Sequence, residues 1–365
     1  MTYTHLGSAH QELRDHTERV AASLPGHGEP GRINRPLLKA LSEHGLLGRL
    51  FPRTSAMDLC VIREALARHN TEAETAFALQ GLGAYPILLA GRQSVVDTWM
   101  PRITEGTAAV GFALTEPDAG SDAAALTLRA VPDGDGYRLT GEKVFISNAP
   151  EADVYSVFAR TSDNGARGIT AFAVPGNADG LTGERQRLVS PHPIGRLRFA
   201  DVYVPAEAVL GEVDAGWRVA MRTLDMFRPS VGAFAVGMGQ AALDAAIAHT
   251  SKREAFGKPL RDFQGVSHQL ADVATRLQAS RLLVHDAAAA YDSGAERTGH
   301  LSAMAKLFAT ESAQQAVDVA IQVHGARALE EGHLLEHLYR EVRAPRIYEG
   351  TSEIQREIIA RQLYR

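Results

Sequence analysis

Three stretches of this chain carry residue types that could do chemistry. The first, Phe112-Ala113-Leu114-Thr115-Glu116-Pro117-Asp118-Ala119-Gly120-Ser121-Asp122, runs from a short apolar segment into a turn of small and hydroxyl residues. Such a turn offers N–H groups and hydroxyls to an anionic or heteroaromatic ligand. An ordinary turn that closes a strand has the same composition. The second, Gly141-Glu142-Lys143-Val144-Phe145-Ile146-Ser147-Asn148, sets Phe145 and Ser147 two apart, and so on one face of a strand. A ring beside a hydroxyl could meet the edge of a flat cofactor, and a plain edge strand is the alternative. The third, Ile347-Tyr348-Glu349-Gly350-Thr351-Ser352, places one carboxylate just before a helix start. Locally a surface carboxylate near a helix start is the favoured reading, with a base as the alternative. Gly237-Met238-Gly239-Gln240-Ala241-Ala242 matches a dinucleotide fingerprint in letters only. It lies in an Ala-rich apolar stretch with no preceding strand, so close helix contacts explain it better.

The elements that must position these stretches fall into three regions, 1–106, 107–215 and 216–365. The first is helical: Leu37, Leu38, Leu41 and Leu46-Leu47 recur at helical spacing, with Gly45 and Gly48 as stops. Asp58 is a candidate cap for a helix through Cys60, Ile62 and Leu66, and Trp99-Met100-Pro101 closes the region. In the second, Pro132-Asp133-Gly134-Asp135-Gly136 predicts a hairpin turn, and 154–158, 169–174 and 197–204 are further strands. They suggest a small β-sandwich or barrel. In the third, Val266, Leu270, Val273, Leu277, Val284 and Tyr291 form one apolar stripe. Leu301, Ala305, Phe308, Val319 and Val323 form another. These spacings predict an antiparallel helix bundle. The fold class is therefore mainly α with a central β domain.

Composition excludes several functions. The formal net charge of the 365 residues is -5, without the concentrated basic face of a nucleic-acid binder. Cys60 is the single cysteine, and no Cys/His spacing suits a metal. Residues Met1 to His10 are polar and lack the apolar core of a signal peptide. No uninterrupted apolar run looks long enough to cross a bilayer. A cytoplasmic protein without a membrane segment is expected.

In order and separation, the first two stretches resemble the acyl-CoA dehydrogenase family. Arg253-Glu254-Ala255-Phe256-Gly257-Lys258-Pro259-Leu260 with Phe263-Gln264 is similar to its R-x-x-F-G-x-x-L…Q segment. Gln322-Val323-His324-Gly325 is similar to its Q-x-x-G-G segment, and Ile347 to Arg356 to its I-Y-E-G-T-S-x-I-Q-R signature. The resemblance implies a C-terminal four-helix bundle, and FAD held between the β domain and the C-terminal helices, in a homotetramer or dimer. It implies Glu349 as the base that takes the α-proton of an acyl thioester while the β-hydride passes to the flavin. Thr115, Ser121, Phe145, Ser147 and Thr351 would contact the cofactor. Arg253 would meet the pyrophosphate of FAD on a neighbouring subunit, with Phe256, Gln264, Gln322 and Gly325 toward its adenosine end. Arg228, Tyr348 and Gly350 would lie near the substrate. Phe227 stands where some members carry the base instead, and Arg228-Pro229 is similar to the medium-chain type.

The sequence also departs from the family. Ala326 replaces a second glycine. The stretch after Leu46-Leu47-Gly48-Arg49-Leu50-Phe51-Pro52 is short and enters the next helix near Met57. This trimming leaves open whether the thioester is carried by CoA or by acyl carrier protein. The implied electron acceptor is an electron-transfer flavoprotein. An oxygen-using flavin oxidase and a non-catalytic FAD-binding member are the alternative functions.

Overall fold

The computed structural model describes residues 6–26, 28–296 and 298–364. Residues 1–5 of the polar N-terminal stretch lie outside the described residues. Five helices come first: α1 (Ser8–Ala21), α2 (Arg35–Glu43), α3 (Ala56–His69), α4 (Thr71–Ala90) and α5 (Gln93–Thr104). The strands are β1 (Val110–Ala113), β2 (Arg129–Asp133), β3 (Gly136–Ser147), β4 (Val154–Arg160), β5 (Ile169–Pro175), β6 (Leu181–Arg185), β7 (Ile194–Pro205) and β8 (Val209–Leu210). Helix α6 (Gly216–Lys252) follows, then a short hairpin of β9 (Glu254–Ala255) and β10 (Lys258–Pro259). Helices α7 (Gln264–Asp292), α8 (Gly299–His324), α9 (Leu334–Val342) and α10 (Ser352–Leu363) complete the chain.

The chain forms two compact units that do not follow the three consecutive stretches. One holds residues up to Ser23, Ser55–Glu74 and Asp225–Arg365; the other holds Leu24–Thr54 and Thr75–Leu224. Helices α4 and α6 each contribute to both.

In the second unit the sheet runs β6-β7-β3-β2-β4-β5-β8, with β1 parallel to β4. The predicted hairpin joins β2 to β3 through Gly134-Asp135, where Asp133 pairs with Gly136 and Gly134 has φ 59°. Between β2 and β4 only Arg129 and Arg160 pair, so the sheet has two halves. Leu139, Val202, Tyr155, Val157 and Phe172 from both halves share one core. Gln80 of α4 ties this core to β1: its Nε2 donates to the Ala108 carbonyl at 2.8 Å and its Oε1 accepts from Val110 N–H at 3.1 Å.

In the first unit α3 is capped by Ser55, whose Oγ accepts from the Asp58 N–H at 3.1 Å. Asp58, the predicted cap, thus sits inside the first turn. The Asp292 carboxylate at the end of α7 accepts from Ala56 N–H, Met57 N–H and the Ser55 hydroxyl. Gly237 and Gly239 are close-contact glycines, as expected. A Cβ on Gly237 would lie 2.4 Å from the Glu64 carbonyl oxygen, and one on Gly239 2.6 Å from Leu277.

Two further expectations are corrected. Pro101 does not close the first region, because α5 continues to Thr104 with Pro101 in its final turn. The buried face of α8 is not the stripe of larger residues. It is Ser302, Ala303, Ala305, Lys306, Ala309, Ser312, Ala313 and Ala316, while Leu301, Phe308, Val319 and Val323 are half-exposed. Close packing selects small side chains, and a search for bulky ones passes over them. Helix α6 is long and apolar enough to cross a membrane, but 78% of its most apolar window is buried within the protein.

Inside the second unit Lys143 is fully buried against Glu116, with Nζ 2.8 Å from Oε1. Its ammonium also donates to the Leu114 carbonyl at 2.9 Å. Removing one partner of a buried pair costs about 3 kcal/mol or more. Lys143→Met is therefore expected to lower the unfolding free energy by about 3 kcal/mol, read by urea denaturation. A loss below about 1 kcal/mol would mean that the pair acts like a surface ion pair.

Candidate active site

In the second unit the two cofactor-type stretches come together. The Thr115 carbonyl accepts from Val144 N–H at 3.0 Å. Glu116 accepts from Thr127 N–H, the Thr127 hydroxyl and Leu128 N–H, besides Lys143. Burial works against its charge, yet Lys143 and these donors hold its carboxyl below the ordinary range. The Lys143–Glu116 pair therefore fastens one stretch to the other, a role that was not assigned to either residue from sequence.

Phe145 lies at a register shift between Lys143 and Ile146, with φ 55°. Its ring is 54% exposed, whereas Ile146 is buried and Ser147 half-buried. Alternation resumes after the irregularity, so Phe145 and Ser147 both avoid the core. The Gln186 side chain fixes this backbone by accepting from Phe145 N–H at 2.9 Å. Ser121 is exposed in the turn beyond Glu116.

In the first unit the other signature forms a turn before α10. Glu349 has φ 53° and Gly350 φ 94°. Left-handed backbone is costly for a residue with a Cβ, and two successive carbonyls are clamped here. The Glu349 carbonyl accepts from Arg228 Nε and from Gln355 Nε2, each at 3.2 Å. The Gly350 carbonyl accepts from Lys306 Nζ at 2.6 Å and Gln355 Nε2 at 2.9 Å. Thr351 caps α10 through Oγ1, which accepts from Ile354 N–H at 3.3 Å.

Arg228 is buried against the Glu349 carbonyl. Its Nη1 donates to Asp225 at 2.8 Å. Lys306 and Gln355 were missed; both are polar residues with no exposure at all. A lysine inside an alanine-rich helical face was the available signal.

The Glu349 residue is half-buried, but its Oε2 is enclosed and has no hydrogen-bond partner among the described residues. Burial raises its pKa above the ordinary carboxylate range, while Arg63, Lys306 and Arg228 pull it down. Arg63 of α3 is itself buried; it is ion-paired with Glu74, and its Nη1 donates to the Ser230 hydroxyl at 2.7 Å. Burial around the Tyr348 hydroxyl pushes that group well above its usual range. Burial lowers Lys306 to about 8, with Glu349 acting in the opposite sense.

The remaining predicted residues gather at the β9–β10 hairpin and the end of α8. Phe256, with φ 53°, and Gly257 form the hairpin tip, and the Phe256 ring is 97% exposed. The Arg253 carbonyl accepts from Leu260 N–H at 2.8 Å, and Gln264 begins α7. Gly325 ends α8 with φ 69°, and Gln322 is exposed one turn earlier.

Family models describing the acyl-CoA dehydrogenase N-terminal, middle and C-terminal domains match residues 8–107, 111–202 and 214–364. This chain belongs to the acyl-CoA dehydrogenase family. It is 35% identical over 356 residues to cyclohexane-1-carbonyl-CoA dehydrogenase of Geobacter metallireducens, covering 95% of this chain and 93% of that one. It is also 35% identical to the caffeyl-CoA reductase-Etf complex subunit CarC of Acetobacterium woodii, covering 92% and 91%. The solved butyryl-CoA dehydrogenase of Megasphaera elsdenii superposes with a TM-score of 0.93 at 31% identity, over 100% of both chains. The fold expected of an acyl-CoA dehydrogenase, with helical, β-sheet and helical regions in that order, is the one observed.

A hydrogen bond from a charged donor contributes about 2 kcal/mol. Lys306→Met removes such a donor from the Gly350 carbonyl. The expected result is a loss of about 2 kcal/mol in thermal or urea unfolding with the fold retained. Unchanged stability would mean that Gln355 alone holds the turn.

Proposed function

We propose that Glu349 is the base of an FAD-dependent α,β-dehydrogenation of an acyl thioester. The chain is an enzyme of the acyl-CoA dehydrogenase type, with FAD as its cofactor and acyl-CoA dehydrogenation as its reaction class. The observation that carries the assignment is the enclosed, unpartnered Glu349 Oε2 on a clamped left-handed turn. A carboxylate without a donor on that oxygen has a lone pair free to accept a proton. Partial desolvation makes it a stronger base than a solvated one.

The residues present suit FAD. Phe145 offers a bare ring beside Ser147, and Arg253 offers a guanidinium suited to phosphate oxygens. Thr115, Ser121, Phe256, Gln264, Gln322, Gly325 and Thr351 complete the proposed contacts. Bound there, FAD would supply the acceptor for the hydride that leaves the β-carbon. The protein's part is to hold the carboxylate and to meet the charge that develops at the thioester carbonyl. The Glu349 N–H is taken up by no acceptor among the described residues and supports that second role. Arg228 holds the Glu349 carbonyl, and with it the peptide plane that Glu349 shares with Gly350. Tyr348 and Gly350 flank the same carboxylate and share its proximity to substrate. Electron-transfer flavoprotein is the proposed acceptor, and a homo-oligomer the proposed assembly.

A Glu349→Gln variant is expected to retain FAD but to lose anaerobic bleaching by acyl thioester by about 10²- to 10⁴-fold. Normal bleaching would remove Glu349 as the base. The carrier is a separate proposal. The short connection through the single-turn helix Leu47–Arg49 into α3 supports a mouth that accepts a thioester on acyl carrier protein. Comparing kcat/KM for one acyl group on both carriers tests this, with higher values on the carrier protein expected and a clear preference for CoA refuting it.

A further inference from the structure

Three histidines near the end of α8 have no part in the function proposed above. His249, in the last turn of α6, stacks on His324 with ring centroids 4.2 Å apart and planes 24° apart. His333, just before α9, meets the His324 ring at 5.7 Å and 69°. Arg253 and Arg327 both act electrostatically on His249. Five basic groups therefore share this corner, drawn from α6, the β9–β10 hairpin, α8 and the segment that follows it.

Their acidic neighbours do not neutralise them. Glu336 of α9 is paired with Arg340, and Glu254, Glu330 and Glu331 are exposed. Lys252 adds another positive charge at the end of α6, and His337 is engaged by the Thr71 hydroxyl at 2.7 Å. Among the described residues none of the five makes an ion pair. Like charges held together without counter-charge create a potential that draws anions.

We infer that His249, His324 and His333, with Arg253 and Arg327, bind the diphosphate of FAD, and that cofactor retention tightens as pH falls through the histidine range. This rests on the proposed FAD-binding role of Arg253. Ring geometry supports it. His324 Nδ1 lies 2.7 Å from the Ala320 carbonyl and donates to it, so Nε2 is a donor only in the imidazolium form. His333 Nδ1 accepts from Leu335 N–H at 3.1 Å, which leaves its Nε2–H free to donate. Burial first, then mutual repulsion, holds His249 below the ordinary histidine range, and burial with His333 does the same for His324. A bound anion raises both again. By linkage, the form that carries the anion takes up protons, so affinity is highest at low pH and falls as pH rises through the raised values.

The test uses the holoenzyme. Free flavin is measured by absorbance after ultrafiltration at pH 6 and pH 8, with circular dichroism as a check on folding. The FAD dissociation constant is expected to be about tenfold lower at pH 6, the effect of binding that raises one histidine's pKa by about one unit. His324→Phe keeps a stacked ring but removes the titration, and His249→Gln removes it at the other ring; each is expected to flatten the slope. A slope unchanged in both variants, or none in the wild type, overturns the inference. So does an equal slope after reconstitution with riboflavin, which lacks the diphosphate. A protein that carries no flavin at either pH overturns this inference together with the FAD-binding reading beneath it, whereas a flat slope with FAD retained leaves that reading intact.

Discussion

The left-handed backbone at Glu349 and Gly350 is the constraint on which the first unit depends. A side-chain-bearing residue in that conformation costs on the order of 1 kcal/mol and persists only where its surroundings over-determine it. Here Arg228, Lys306 and Gln355 donate to two consecutive carbonyls. These donors sit on α6, α8 and α10, so the register of three helices is read out at one turn. Arg63 with Glu74 and Ser230, and Arg281 with Glu64 and Gln240, lock α3, α4, α6 and α7 in the same way. Polar ties between helices thus orient the turn, while apolar area supplies the general drive to pack.

Buried cations explain the composition around them. Lys306 has no exposure, and the face it shares on α8 is mostly alanine and serine. Small neighbours leave room for a long stem and let the helices approach closely enough for its ammonium to reach Gly350. Its pKa near 8 means that the charge, but not the donor, is lost in mild alkali. A neutral amine still donates to a carbonyl, so the turn keeps its tie while Glu349 loses a positive neighbour.

How much of this was legible in the sequence follows from the range of each interaction. The Asp133–Gly136 hairpin and the close-contact glycines of α6 were readable, because turn chemistry and small-residue runs are local signals. The segment order was readable from the change in texture near Thr107 and Gly216. The partners of Lys143 and Lys306 were not, since each joins segments that only the fold brings together. Bulk does not mark burial on α8, where small side chains make up most of the packed face. Asp58 has the side chain of a cap, but Ser55, three residues earlier, supplies the oxygen. Glu349 stood out through the resemblance alone; nothing in its neighbours announced the clamp or the enclosed oxygen.

Backbone conformation offers a route to the site that is independent of that resemblance. Six described residues other than glycine have positive φ: Phe145, Asn148, Asp201, Asp214, Phe256 and Glu349. Asn and Asp tolerate this region through short polar side chains. Phe145, Phe256 and Glu349 have no such excuse, and each coincides with a proposed contact to cofactor or substrate. Two of them are held by specific side chains, Gln186 at Phe145 and the three-donor clamp at Glu349. Strain kept in place by dedicated partners is what a site that must present a ring or a carboxylate requires. Motif order and backbone strain are separate physical signals, and they select the same residues.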